Sequence, residues 1–181
     1  MNRIVIIVVT TLGYVFLNGC SGTEPYVAVT HTVRLQPQLD RDSNGFYYLT
    51  LMRDRFQTVQ RIQGTVTRDD GKPLTREQKI WWESSHTWTF AQGDTIMKII
   101  RRNVNDQGFW VNVDTSVIQA PVGMTVPTVN PSSYARLDGE VNTMIGPVLP
   151  MLGDTMTIIA RWYDPWYPSD TTSDIVKIIL R

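Results

Sequence analysis

Cysteine is almost absent from this chain: one, Cys20, occurs in 181 residues. A single thiol forms no disulfide within the chain, and it excludes a zinc site built mainly of thiolates. Histidine is scarce too, at two residues, which leaves little for imidazole-based catalysis. No charge of one sign prevails, because 17 Lys and Arg balance 17 Asp and Glu. That balance argues against a strongly basic nucleic-acid binder and against an acidic disordered tail. No internal repeat, coiled coil or low-complexity run is visible. Charged residues make up 19% and hydrophobic residues 42%, proportions that support a folded core. The length fits one domain, or two small ones.

One apolar run stands out. Met1-Asn2-Arg3 supplies a positive charge, and Ile4 to Leu17 follows. At about 14 residues the run suits a signal-peptide core and is short for a membrane-spanning helix, which needs roughly 20. It leads into Leu17-Asn18-Gly19-Cys20, which resembles the lipobox of bacterial lipoproteins. The resemblance implies that residues 1–19 are a signal peptide cleaved before Cys20, and that the Cys20 thiol carries a diacylglycerol. Residues 20–25 then form a lipidated tether. Two acyl chains hold a protein stably on a membrane. The implied location is the bacterial cell envelope. Ser21, in place of Asp, points under the family's sorting rule to the outer membrane, on its periplasmic or surface face. Asn18 departs mildly from the family pattern.

Beyond the tether, no long helical pattern appears; alternation of period two recurs. Val27, Val29, Val33 and Leu35 alternate with polar neighbours, and so do Ile62, Gly64 and Val66. Phe46 to Met52 is aromatic and aliphatic. The pattern predicts further strands at 79–83, 87–91, 95–101, 109–114, 155–163 and 174–180. Asn44-Gly45, Asp70-Gly71, Gln107-Gly108, Asp138-Gly139 and Gly153-Asp154 are turn signals between or beside them. The predicted class is all-β, an antiparallel β-sandwich formed by residues 26–181 as one domain. An extra N-terminal hairpin, Tyr26 to Met52, accounts for the length beyond a minimal seven-stranded sandwich. Proline-containing stretches at 120–133 and 146–152 read as a long crossing loop and an edge connection.

Four segments share an order with a known family. Ile62 to Leu74 ends a strand in the turn Asp69-Asp70-Gly71-Lys72-Pro73, and Ile80-Trp81-Trp82-Glu83 follows. Asn105-Asp106-Gln107-Gly108 then opens Phe109-Trp110-Val111, and Gly153-Asp154 opens the strand from Thr155. This order resembles bacterial immunoglobulin-like domains of the invasin and intimin type. The resemblance implies an immunoglobulin-like sandwich over 60–180, with a spacer, adhesion or interaction role and no active site. A jelly roll or another sandwich remains open. Trp81 or Trp82 is expected to fill the space between the sheets.

Three constellations carry possible chemistry. Asp40-Arg41-Asp42-Ser43-Asn44-Gly45 matches the opening half of a calcium loop, with Asp40, Asp42 and Asn44 as ligands. The second half fails, because Leu51 stands where a bidentate Glu belongs; a tight hairpin turn is the competing reading. Apart from calcium, no cofactor is expected. The second is Trp162-Tyr163-Asp164-Pro165-Trp166-Tyr167-Pro168, where prolines stiffen a loop and rings offer flat faces to a glycan or a protein partner. There Trp162, Tyr163, Asp164, Trp166 and Tyr167 are the candidate binding residues. Alternatively, Trp162 and one tyrosine complete the core.

The third is Ser85-His86. Neighbouring side chains on a strand point in different directions, so no catalytic dyad is expected there. His31 falls in register with Val33 and Leu35 and is expected at the apolar face. No catalytic motif or phosphate-binding glycine loop is present. The sequence therefore predicts a non-catalytic, lipid-anchored envelope protein acting as a structural or protein-interaction module. The alternative is a carbohydrate-binding lipoprotein that uses the loop 162–168. No nucleic-acid partner is expected.

Overall fold

The computed structural model describes residues 29–90, 96–119, 126–164 and 171–181. Cys20, Trp166 and Tyr167, three of the candidate residues above, lie outside them, as do the proposed signal peptide and tether. Twelve strands account for most of the described chain. They are β1 (His31–Leu35), β2 (Asp40–Arg41), β3 (Tyr47–Leu49), β4 (Gln60–Arg68), β5 (Gln78–Ser84) and β6 (His86–Phe90). β7 (Ile96–Val104), β8 (Trp110–Gln119), β9 (Ser132–Ala135), β10 (Glu140–Ile145), β11 (Thr155–Tyr163) and β12 (Thr171–Leu180) complete the order. Among the described residues the only helical element is one 3₁₀ turn at Leu149–Met151. The class is all-β, as the alternation predicts.

The strands form a sandwich with an attached third sheet. One layer has the order β1-β4-β10, and the other has β2-β3-β12-β11-β5-β9. Alternation decides what lies between them. Val33, Ile62, Val66, Val141 and Ile145 come from the first layer; Ile80, Trp82, Met156, Ile158, Trp162, Ile178 and Leu180 come from the second. All are buried in one continuous core. Fully burying such aliphatic side chains contributes about 1.5–3 kcal/mol each. Of the tryptophan pair, Trp82 enters the core, and Trp81, one residue away, faces outwards.

The N-terminal hairpin is shorter than the span Tyr26 to Met52. β2 pairs antiparallel with β3 across the Asp42–Gly45 turn, at the edge of the six-stranded sheet. β1 instead joins the other layer through β4. β3 runs parallel to β12, a departure from a wholly antiparallel sandwich. β1 also ties the two layers together, because Asp174 of β12 accepts the Leu35 N–H at 2.6 Å.

β9 starts at Ser132, at the end of the stretch read as a crossing loop, and β10 fills the segment between the two proline-containing stretches, where the alternation predicts no strand. β10 has the alternation Val141, Thr143, Ile145, all buried. The polar Thr143 in the middle hides that strand from hydrophobic periodicity alone. The β9–β10 turn depends on Gly139, at φ +86°, where an added Cβ would lie 2.5 Å from the Val66 carbonyl oxygen.

The third sheet, β6-β7-β8, grows out of the sandwich at Ser85. Its inner face carries Met97 and Ile99, both buried in the common core. A bulge between Arg101 and Arg102 twists its far end, where Trp110 Nε1 donates to Glu83 at 2.6 Å.

Candidate functional site

The half calcium loop is a structural turn. Asp42 Oδ1 accepts N–H groups from Asn44 and Phe46, both at 2.9 Å, and Oδ2 accepts the Tyr48 hydroxyl at 2.9 Å. Partial desolvation pushes the Asp42 pKa up, and the hydrogen bonds from Tyr48, Phe46, Asn44 and Gly45 together outweigh it and lower it. Gly45 supplies the positive φ, +88°. Asp40 lies on β2 and faces Arg181 at 3.4 Å. Among the described residues no cluster of three His, Cys, Asp or Glu side chains gathers where a metal would sit. Both Asp42 oxygens, the centre of the expected ligand set, accept hydrogen bonds that close the hairpin.

The aromatic loop divides. Trp162 belongs to the core: its ring lies 4.5 Å from His31, and its Nε1 donates to Gln78 at 3.1 Å. Its place on β11 directs most of the ring between the sheets, and its remaining edge borders the groove that Tyr163 lines. His31 is buried beside it, as its register with Val33 predicts. Asp164 is buried as well, whereas Tyr163 points outwards.

Tyr163 joins two rings that no local motif marks. Trp81 on β5 is 42% exposed, Tyr134 on β9 is 57% exposed, and Tyr163 is 38% exposed. They line a groove of about 510 Å³ on the outer face of the six-stranded sheet, together with Arg76, Glu77 and Lys79. Lys79 Nζ lies 3.8 Å from the Trp81 ring centroid, a cation–π contact. The local signal for Trp81 was parity with Trp82. Tyr134 left no signal, because β9 has only Ala135 as an inward apolar residue.

Ser85 and His86 do meet, contrary to the sequence reading. Ser85 Oγ lies 2.8 Å from His86 Nδ1. The cause is the kink between β5 and β6, which turns consecutive side chains to the same side. His86 Nε2 faces Asp154 Oδ2 at 3.3 Å, and Arg101 Nε donates to that same oxygen at 2.8 Å. The set has the composition of a Ser-His-Asp triad, with the roles of the two ring nitrogens exchanged.

Its surroundings serve the fold. Ser85 and His86 are each 4% exposed. The Ser85 carbonyl turns to β7 and accepts the Arg102 N–H at 2.7 Å. Its hydroxyl then takes that carbonyl's place in the β11 ladder and accepts the Thr157 N–H at 2.8 Å. Burial lowers the His86 pKa, with Arg101 and Arg102 adding to the effect and Asp154 opposing it. In the tautomer with its proton on Nε2, Nδ1 is the acceptor for the Ser85 hydroxyl.

The third sheet presents the largest gathering of uncovered apolar side chains. Phe90, Ile96, Val104, Phe109, Val111, Val113 and Val117 are all exposed, nearly half of the large exposed hydrophobics described. Four of them lie on β8 or at its mouth. Among the described residues β8 pairs only with β7, so its other edge carries no partner strand. The only charged side chain on β8, Asp114, is paired with Arg101 at 3.0 Å. No protein-family model matches the chain, and no curated protein matches it either.

Proposed function

We propose that this protein is a non-catalytic interaction module of the bacterial cell envelope, held to the membrane through a diacylglycerol on Cys20. The β6-β7-β8 sheet is its docking element. The observation that carries this reading is the edge of β8 that, among the described residues, pairs with no strand. Edge strands in soluble proteins are ordinarily short, charged, bulged away or covered. β8 runs for ten residues, Trp110–Gln119, stays regular from Asp114 to Gln119 beyond its one bulge at Val113, and shows Val113 and Val117 to solvent. Its partner is an extended protein segment that adds to the sheet as a strand, with main-chain hydrogen bonds for affinity and small apolar side chains against the valines.

The immunoglobulin-like resemblance supports a module of this kind. The Ser85-His86-Asp154 set supports the non-catalytic part, because the hydroxyl is buried and already accepts a backbone N–H. Photo-crosslinking in the intact envelope tests the reading. A photoreactive residue at Val117 should give one discrete adduct, which Val113→Lys abolishes. The same residue at Ile175, also exposed but on β12, should give none. Equal adducts from both positions, or none from Val117, would refute it.

A further inference from the structure

We propose that the groove bordered by Trp81, Tyr134 and Tyr163 is a binding site for a neutral pyranose oligosaccharide. The site lies on the six-stranded sheet and is independent of the β8 edge. Three features of the groove carry the inference.

The first is the placement of the rings on rigid strands. Tyr134 pairs with Lys79 in the β5–β9 register. Arg161 pairs with Trp81 in the β5–β11 register, so continuing it by two residues sets Tyr163 on the other side of Lys79. The two tyrosines thus stand two strand spacings apart, about 9.6 Å, with Lys79 between them and Trp81 beside it. Flat rings fixed on a sheet suit the C–H faces of sugar rings and lose little entropy on binding.

The second is charge. Arg76 and Lys79 face Glu77 and Asp164 around the same groove, so the formal charges cancel. A phosphate, sulfate or uronate ligand needs surplus cations, whereas a hydroxylated neutral ligand needs donors and acceptors of both kinds. Glu77 supplies acceptors and Lys79 supplies donors beside the rings.

The third is exposure without structural use. Tyr134 is more than half exposed on an edge strand, so its ring adds little to the core. With Trp81 and Tyr163, each more than a third exposed, it forms on one face a patch of the kind that marks a binding site.

Titration of the intact protein with cellotetraose, maltotetraose and chitotetraose, read by tryptophan fluorescence, tests the proposal. A sulfated tetrasaccharide and an unstructured peptide serve as competitors of other chemistry. At least one neutral tetrasaccharide should bind saturably. Tyr134→Ala should weaken that binding by about tenfold or more, the loss expected on truncating an aromatic anchor, with its melting temperature unchanged. Trp81→Ala should weaken it as well, and Val117→Lys should not. The proposal is overturned by no saturable neutral binding, by tighter binding of the sulfated sugar or the peptide, or by undiminished affinity in Tyr134→Ala.

Discussion

Replacing Ser85 with Ala removes one oxygen from a place where two sheets separate. That oxygen accepts the Thr157 N–H and contacts His86 Nδ1, each at 2.8 Å. The Ser85 carbonyl does not substitute, because it is directed at β7, where it accepts the Arg102 N–H. Ser85→Ala therefore leaves one backbone donor and one imidazole nitrogen without partners in a buried site. Each unsatisfied group costs about 1–3 kcal/mol, so the range is about 2–6 kcal/mol; local shifts should leave the loss near 3 kcal/mol. That is a large share of the roughly 5–15 kcal/mol that holds a domain folded. Equilibrium urea unfolding followed by tryptophan fluorescence measures it. The midpoint should fall with an unchanged slope, and the Thr157 amide should lose protection in native-state hydrogen exchange. A loss below about 0.5 kcal/mol, with the Thr157 amide still protected, would refute the claim that the hydroxyl replaces a ladder carbonyl.

Two other predictions concern the same framework. Burial lowers the pKa of both His31 and His86 from 6.5, so the unfolded chain takes up these protons first as pH falls. Their contribution is full above pH 6.5 and is lost as pH drops through the folded pKa values; thermal melts should show a falling melting temperature from pH 7 to 5, and His86→Gln should flatten that slope. Gly139→Ala places a Cβ against the Val66 carbonyl oxygen in a left-handed backbone. The conformation costs about 1–2 kcal/mol and the overlap about 1–3 kcal/mol, so chemical denaturation should show a total loss of about 2–5 kcal/mol. An unchanged midpoint would contradict it.

The strands most legible beforehand are those with unbroken apolar alternation. Thr155–Tyr163 is found with the predicted bounds, and β4, β5, β6, β7 and β12 lie within a few residues of theirs. β8 extends five residues past its predicted end at Asp114, through polar Thr115 and Ser116, which no apolar pattern marks. β9 and β10 escaped because Ser, Thr and Asn occupy positions where the pattern looks for aliphatics. The local sequence already favours a turn over a calcium loop, because Leu51 stands where a bidentate Glu belongs. Tyr48, four residues beyond Asn44, closes that turn by donating to Asp42.

The proposal of a lipid anchor at Cys20 rests on sequence alone, since the resemblance to a lipobox is a matter of local residues. Period-two alternation likewise sets the all-β class and the facing of Trp82 against Trp81, because side-chain parity is a property of the strand itself. Which strands become neighbours is not local. Parity cannot say that β9 lies beside β5, so it cannot bring Tyr134 next to Trp81 and Tyr163. It also assumes an unbroken strand, and the kink at Ser85 breaks that assumption. The Ser85–His86 contact, the open edge of β8 and the aromatic groove all arise from how the strands were distributed among three sheets. That distribution is set by long-range register and core packing, which act only once the chain is folded.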